Sequence, residues 1–240
     1  GPVPEAVREL LSRVAGAEIG AFYTHVHRAA GTDVRLHARL EAFEGSGHIS
    51  GVRLAGGEII PCDLALVGVG ILPNLDLALD AGLVCGNGIV VDEQGRTSHP
   101  DVHAAGDVAW RPLVHYGREG RLESVHNAIE GGKIAAAAML GATPPALEVP
   151  WFWSDQFDLK LQTAGLWTGA DQQILRGDPL SRCFAVFYLK EGRVIAVDAV
   201  NSAPEYVVGR KLVAAKAMVA PAELADKSVS MKDIGARALG

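Results

Sequence analysis

Hydrophobic residues near the start of the chain recur mostly every three or four positions. This spacing is typical of an amphipathic helix, and it predicts a helix over residues 5–30. The apolar residues that carry the pattern are Val7, Leu10, Leu11, Val14, Ile19, Phe22 and Val26. Gly31 follows directly and is expected to end the helix.

Short runs rich in β-branched residues come next, over residues 34–36, 49–54 and 64–67, and they predict strands. The glycine-containing stretches EGSGHISG and AGGE lie between them and predict hairpin turns. The segment DLALVGVGILPN then predicts a buried strand that runs into a turn at Gly68 and Gly70, where backbone can approach a ligand closely. Further strands are expected at residues 88–91 and 101–105.

A long helix is expected over residues 122–140. The predicted apolar face consists of Leu122, Val125, Ile129 and Ala136. Gly131 and Gly132 lie inside this helix, and an interior glycine costs about 1 kcal/mol relative to alanine. We therefore expect close packing against another element at these two positions.

The proline-rich segment GATPPALEVP, residues 141–150, ends the helix and predicts a boundary. Beyond it, strands are expected at residues 159–163, 173–176, 184–189 and 194–200, and helices at 205–219 and 221–225. Glu191 and Gly192 are expected to form a hairpin turn. The order of elements predicts an α/β part followed by a small α+β domain.

Length and charge exclude several classes of protein. The 240 residues suffice for one large domain or two small ones. The net charge of −6 argues against nucleic acid as a partner, and no apolar run is long enough for a membrane helix. The first ten residues carry charges where a signal peptide requires an apolar stretch, so we expect a cytoplasmic protein.

Cysteines and histidines give no metal site. Cys62, Cys85 and Cys183 lie too far apart for metal-ligand spacing and fit a reducing compartment. His25 and His27 would face different sides of the predicted helix. His99 and His103 have the spacing of two metal ligands on a helix, but Pro100 argues against a helix there. The segment GSGHISG has serine at its sixth position and joins two strands, so a hairpin is favoured over a dinucleotide loop.

The segment TSHPDVHAAGD, residues 97–107, carries a stronger signal. A turn is expected to lead into a short strand that ends at Gly106, with Asp107 just beyond the sheet. A carboxylate in this place can accept hydrogen bonds from sugar or ribityl hydroxyls, and the glycine lets a cofactor approach the backbone. From these residues alone, a simple turn residue or helix cap remains the alternative for Asp107.

This segment resembles the second flavin motif of the pyridine nucleotide-disulfide oxidoreductase superfamily, T-x-x-P-x-V-x-A-A-G-D. Downstream, RLESVHNAIEGGKIAA and VPWFWSDQFDLKLQTAG resemble the branch of ferredoxin, rubredoxin and putidaredoxin reductases that serve oxygenases. FYLKEGRVIAVDAVN and GRKLVAAK extend the resemblance through the carboxy-terminal domain. An apoptosis-inducing-factor-like flavoprotein shares FWSD and is the less similar alternative.

The resemblance implies an FAD-dependent NAD(P)H:ferredoxin-type reductase. Its partner would be a ferredoxin or rubredoxin-type iron-sulfur protein. The implied FAD-binding residues are Gly106, Asp107, Val125, Asn127 and Trp153, and Gly68 and Gly70 would lie near NADH or NADPH. Without the resemblance, Trp151, Phe152 and Trp153 could equally form an ordinary aromatic core.

The implied fold is a pair of partial Rossmann-like FAD/NAD(P)-binding domains followed by a small α+β carboxy-terminal reductase domain. Residues 1–72 would be a partial NAD(P)-binding domain, 73–146 the second segment of the FAD-binding domain, and 147–240 the carboxy-terminal domain. The family's two G-x-G-x-x-G loops have no counterpart here, so we expect the chain to correspond to the later part of such a reductase. The alternative is a truncated, non-catalytic interaction or homodimerisation module derived from one.

Overall fold

The computed structural model describes residues 10–240, which divide into two compact units on either side of the link between Ile71 and Leu72. Six helices are described: α1 (Ala17–Ala29), α2 (Asp76–Asp80), α3 (Val125–Met139), α4 (Ala203–Ala214), α5 (Pro221–Ala225) and α6 (Met231–Leu239). None of the helices in this part of the chain combines the length and apolar character that crossing a bilayer requires.

Twelve strands are described in residues 10–240. The first six are β1 (Leu40–Glu44), β2 (Gly51–Leu54), β3 (Ile59–Pro61), β4 (Cys85–Gly86), β5 (Gly88–Val90) and β6 (Ala109–Leu113). The others are β7 (Arg118–Gly120), β8 (Trp151–Gln156), β9 (Leu159–Gly165), β10 (Gln172–Asp178), β11 (Cys183–Lys190) and β12 (Arg193–Val200). The predicted order, α/β followed by α+β, is confirmed.

The first unit contains α1 and a small antiparallel sheet in the order β1-β2-β3. The helix begins only at Ala17, because Gly16 takes an extended conformation at its N-cap and Leu11 has a positive φ of 59°. The predicted start was therefore too early, and residues 5–9 lie outside the described part of the chain. Both predicted hairpin turns are confirmed, since they join β1 to β2 and β2 to β3.

Two predicted strands of this unit are wrong. Residues 34–36 are irregular, and the first strand is instead β1, which pairs with β2 with Leu40 opposite Leu54. Residues 64–67 have strand-like composition, but no ladder partner is described for them, and Leu66 is 97% exposed. A run of apolar residues becomes a strand only where a neighbouring strand accepts its backbone hydrogen bonds.

In the second unit, α2 is followed by a four-stranded sheet in the order β4-β5-β6-β7. Strands β5 and β6 are parallel, with Ile89 opposite Ala109, and the other pairs are antiparallel. The strand predicted at residues 101–105 is wrong, because only His103 forms an isolated bridge with Arg96. The real strand, β6, follows Asp107 instead of preceding it.

The carboxy-terminal part contains a five-stranded antiparallel sheet in the order β10-β11-β12-β9-β8. Helix α4 packs on β12, and α6 packs on α4. The core between sheet and helices includes Phe187, Leu189, Val197, Leu212 and Ile234. All four strands predicted in this part are confirmed, whereas α4 ends at Ala214, earlier than expected.

Tyr116 connects the turn between β6 and β7 to this five-stranded sheet. Its hydroxyl accepts a hydrogen bond from the Leu166 N–H (2.9 Å) and donates one to the Ile195 carbonyl (3.3 Å). Burial raises the pKa of Tyr116 to about 12, so the phenol stays protonated at neutral pH. The neighbouring His115 places Nε2 2.8 Å from the Val213 carbonyl, and the two contacts hold the turn against the carboxy-terminal part.

Candidate functional site

Asp107 lies in a 3-10 turn, Gly106–Val108, immediately before β6. Gly106 has a φ of +76°, a conformation that glycine adopts without strain. The Asp107 carboxylate is exposed, while its backbone carbonyl accepts a 2.7 Å hydrogen bond from Arg121. The Arg121 side chain is only 8% exposed and also pairs with Glu123 at 2.8 Å. Arg121 therefore holds the turn and leaves the Asp107 carboxylate facing solvent.

Helix α3 packs directly against this turn at Gly131. A Cβ atom at Gly131 would lie 3.3 Å from the Ala105 Cβ and 3.4 Å from the Gly106 nitrogen, so the absence of a side chain permits the close approach. The expected reason for an interior glycine is confirmed at Gly131. It is wrong at Gly132, where a Cβ would meet no atom within 4 Å.

The N-terminus of α3 faces the same region. Ser124 is the N-cap, and its hydroxyl accepts a 3.1 Å hydrogen bond from the Asn127 N–H. Val125 begins the helix and is 60% exposed. The other N–H groups of the first turn have no intrahelical acceptor, which gives this end a positive potential.

Asn127 is buried, and its amide is engaged by the chain itself. Its Nδ2 donates to the Leu122 carbonyl (2.8 Å), and its Oδ1 accepts from Arg111 (3.3 Å). Burial lowers the pKa of Arg111, although nearby carboxylates oppose this effect. The Asn127 side chain thus supports the helix end through hydrogen bonds within the chain.

The predicted apolar face of α3 is wrong. Val125 and Ile129 are exposed, and the residues that are buried are Asn127, Ile134 and Ala135. Gly131 allows the helix to lie close to the turn at Gly106, whereas Val125 and Ile129 face solvent.

Trp153 lies on β8 and is 41% exposed. Its ring centroid is 5.5 Å from that of Trp151, and Trp151 is in turn 5.0 Å from the ring of His126. Because His126 is the second residue of α3, this chain of rings connects Trp153 to the helix N-terminus. The five predicted residues from Gly106 to Trp153 thus lie on α3, in the turn that packs on it, or in the series of rings that reaches its first turn.

Gly68 and Gly70 belong to the other compact unit. Both lie in the irregular segment after β3. Gly70 has a φ of +100°, and the Arg13 guanidinium occupies the place where a Cβ would be, only 2.2 Å away. A Cβ at Gly68 would meet no atom within 4 Å.

A cavity of about 540 Å³ lies behind the helix end, and Arg111, His126, Glu130 and Arg210 are among the residues that line it. Its size is within the range of small-molecule sites. The cavity contains charges of both signs. The negative charge of Glu130 opposes the lowering of the Arg111 pKa by burial, so the cavity is not a site for anions alone.

Sequence reasoning missed two residues of this site, Arg121 and His126. Arg121 acts through the Asp107 backbone, and His126 acts through Trp151, so each depends on a tertiary contact. The only local signal was their position within RLESVHNA, the segment that leads into the helix.

Comparison with known proteins decides the family. Residues 2–132 match the family described as pyridine nucleotide-disulphide oxidoreductase, and residues 151–235 match a second family described as reductase C-terminal. The chain belongs to the pyridine nucleotide-disulphide oxidoreductase family. The resemblance inferred from the flavin-like motif is thereby confirmed.

Curated relatives in this family are ferredoxin-type reductases by name. The chain is 46% identical over 235 residues to the 5,5'-dehydrodivanillate O-demethylase ferredoxin reductase subunit of Sphingobium sp., covering 97% of this chain and 57% of that subunit. It is 39% identical over 237 residues to putidaredoxin reductase of Pseudomonas putida, covering 98% and 56%. The chain thus spans little more than half the length of these relatives.

Comparison with solved structures also finds a ferredoxin-type reductase. The covalent putidaredoxin reductase-putidaredoxin complex matches with a TM-score of 0.94 at 39% identity, over 98% of this chain and 57% of that one. An NAD-dependent persulfide reductase from A. fulgidus matches with a TM-score of 0.78 at 20% identity, which shows the fold alone.

Proposed function

We propose that this chain supplies the second flavin-binding segment and the carboxy-terminal domain of an FAD-dependent NAD(P)H:ferredoxin-type reductase. The observation that carries the proposal is that one helix, α3, packs against the turn of Gly106 and Asp107 and is linked at its first turn to Trp153 through His126 and Trp151. Residues 1–72, 73–146 and 147–240 would be the partial NAD(P)-binding domain, the second FAD segment and the carboxy-terminal domain. The setting would be the cytoplasm.

The residues present fit FAD in three respects. The exposed Asp107 carboxylate can accept hydrogen bonds from ribityl hydroxyls, and Gly106 offers backbone without a side chain. The N-terminus of α3 offers N–H donors and positive potential to the electron-rich edge of the ring. The half-exposed indole of Trp153 offers a flat apolar partner. When bound, FAD would accept a hydride from the nicotinamide and release electrons singly to an iron-sulfur centre.

NADH or NADPH would be the reductant, and Gly68 and Gly70 are the proposed contact positions. Gly68 supports this role, because no atom lies within 4 Å of the place that a Cβ would occupy there, whereas the Arg13 guanidinium covers that place at Gly70. The residue types described in this unit do not favour one nicotinamide cofactor over the other.

A ferredoxin or rubredoxin-type iron-sulfur protein would be the electron acceptor, as the names of the relatives suggest for those proteins. The last 32 residues contain six cations: Arg210, Lys211, Lys216, Lys227, Lys232 and Arg237. Three of them form ion pairs within the chain, namely Arg210 with Glu148, Lys227 with Glu205, and Arg237 with Glu223.

The remaining three, Lys211, Lys216 and Lys232, are exposed and form no ion pair with other residues in the described part of the chain. They are the better candidates for attracting an acidic partner, since a paired cation contributes little net field. Such attraction should weaken as the salt concentration rises.

The proposal is tested with a chimera in which the part of the dehydrodivanillate demethylase reductase subunit that has no counterpart here is fused ahead of Gly1. We expect the chimera to retain FAD on purification. Asp107→Ala should weaken FAD binding about tenfold or more, because a hydrogen bond to a charged group contributes about 1.5–3 kcal/mol. Asp101→Ala is the matched control, since Asp101 is an exposed aspartate of the same segment.

Equal FAD retention in Asp107→Ala and Asp101→Ala would remove Asp107 from the site. The rival function, a non-catalytic module that forms dimers, is supported only by the partial coverage of the relatives. A folded chimera that never binds flavin would favour that rival.

A further inference from the structure

The Trp151 and Trp153 side chains lie on the same face of β8, since they are two residues apart in a strand. Their ring centroids are 5.5 Å apart and their planes are inclined by 35°. Strand β8 is at the edge of its sheet and pairs only with β9, where Trp151 lies opposite Ala164 and Trp153 opposite Gln162. The sheet therefore flanks the two indoles on one side only. Trp151 also packs against the buried core of the carboxy-terminal part, and contacts from other elements complete its surroundings.

His126 supplies one of these contacts from helix α3. Its ring centroid lies 5.0 Å from that of Trp151 with an interplanar angle of 38°, within the range of favourable aromatic pairs. The His126 side chain is only 11% exposed. The imidazole thus packs between the first turn of α3 and the indole of Trp151.

Arg210 supplies a second contact from helix α4. Its Cζ atom lies 5.9 Å from the Trp151 ring centroid, at the outer limit of a cation–π interaction. Glu148 forms an ion pair with Arg210 and places an oxygen 3.4 Å from His126 Nε2. Glu148 therefore joins the two side chains that pack on Trp151.

The stacking of rings is expected to matter more than the charges in this group. His126 Nε2 lacks a well-directed hydrogen bond despite its distance to Glu148. Glu148 and Arg210 are 48% and 35% exposed, so their ion pair contributes little by itself. Water can take the place of the exposed ion pair, but it cannot replace the contact of the buried imidazole ring with Trp151.

We propose that His126 is a positioning residue that fixes the orientation of the Trp151–Trp153 pair. Removing its ring leaves Trp151 without its aromatic neighbour on α3, and Trp153 then turns with it. This role rests on the proposed function only in its consequence, namely that a displaced Trp153 no longer presents its indole correctly to the flavin.

The positioning role is tested on the 240-residue chain without any flavin. Two indoles at this separation give an exciton couplet in ultraviolet circular dichroism, and the difference between the parent and Trp153→Phe identifies it. We expect His126→Ala to lower that couplet about twofold or more, because the ring contact that orients Trp151 is lost. His126→Phe should preserve it, since phenylalanine retains a ring and the cavity beside His126 can hold the added volume. His48→Ala, at an exposed histidine, is the control.

An unchanged couplet in His126→Ala overturns the proposal. Loss of the couplet in both His126 variants, with unfolding temperatures equal to the parent's, also overturns it, because stacking would then not be the cause. Loss in His126→Ala with rescue in His126→Phe supports it.

The functional consequence is measured separately in the chimera. His126→Ala should lower kcat for ferredoxin reduction about threefold or more at unchanged KM for the nicotinamide cofactor, since a displaced contact group disturbs geometry and not substrate binding. If the couplet responds as expected but kcat does not, the placement of Trp153 beside the flavin fails while the positioning role of His126 stands.

Discussion

Arg176 carries the strongest prediction about stability. It lies on β10 with its side chain 2% exposed, and its Nε donates to Glu205 on α4 at 3.2 Å. Its two terminal nitrogens donate to the carbonyls of Leu224 (3.1 Å), Asp226 (2.6 Å) and Val229 (2.7 Å). A single guanidinium thus joins the five-stranded sheet to α4 and to the segment that connects α5 with α6.

The perturbation is Arg176→Met, which retains an unbranched side chain similar to the aliphatic part of arginine and removes the guanidinium. It leaves the buried Glu205 carboxylate without this partner and removes the donor of the Leu224 and Val229 carbonyls, whereas the Asp226 carbonyl still accepts from the Val229 N–H at 3.2 Å. Breaking a buried ion pair from one side costs about 3–5 kcal/mol, and whole domains are stable by only about 5–15 kcal/mol. We therefore expect a loss of about 3–5 kcal/mol.

Urea unfolding followed by circular dichroism measures this loss as a shift of the midpoint at an unchanged m value. The matched control is Arg182→Met, because Arg182 forms a 2.6 Å ion pair with Asp158 in which both side chains are largely exposed. This control should cost less than about 1 kcal/mol. If the two variants unfold at the same urea concentration, the reasoning from burial is refuted.

Four further predictions follow from particular contacts. Arg121→Met should lower FAD retention in the chimera several-fold by loosening the turn at Asp107, measured by flavin absorbance per protein; unchanged retention contradicts this. Gly132→Ala should stabilise α3 by up to about 1 kcal/mol, whereas Gly131→Ala should not, since its methyl group would press on Ala105; thermal unfolding compares the two, and equal gains would be the wrong result. Burial alone would raise the pKa of Glu205, but hydrogen bonds from Lys227, Ser202 and Arg176 lower it overall. Because the pKa of Glu205 is lowered in the folded protein, its carboxylate stabilises the fold above pH 4.5, the ordinary pKa, and this stabilisation is lost as the pH falls through the lower folded pKa. Glu205→Gln should therefore make the free energy of unfolding depend less on pH below pH 4.5. Finally, the 240-residue chain by itself is expected to show no steady-state NAD(P)H-dependent turnover, and measurable diaphorase activity would contradict that expectation.

The carboxy-terminal strands could be predicted because their local patterns agree with their environment. Strands β11 and β12 are nearly continuous runs of apolar residues and are buried almost throughout. Glu191 and Gly192 between them both have the positive φ that a two-residue hairpin turn requires. By contrast, β6 contains Pro112 and a short run of mixed polarity, and it exists because β5 pairs with it in parallel. Helix α6 was missed because Gly235 interrupts its pattern, although its neighbour Val208 on α4 needs that glycine's space.

The candidate site was predictable only in part. Asp107 was found from a motif in which small residues precede a carboxylate, and the structure leaves that carboxylate exposed. Arg121 and His126 could not be found from spacing, since their roles depend on Asp107 and Trp151 as tertiary neighbours. For the same reason, residues 64–67 were wrongly predicted as a strand, because composition does not reveal whether a pairing neighbour is present.

The central proposal is that this chain forms part of a flavin-dependent reductase. The most direct measurement is the FAD content of the purified chimera together with its NADH- or NADPH-driven reduction of an iron-sulfur ferredoxin. We expect about one FAD per chain. When the final electron acceptor is one that reacts only with the ferredoxin, we expect its reduction to require the ferredoxin. A chimera that folds cooperatively but contains no flavin, or that holds flavin and leaves the ferredoxin oxidised, would contradict the account.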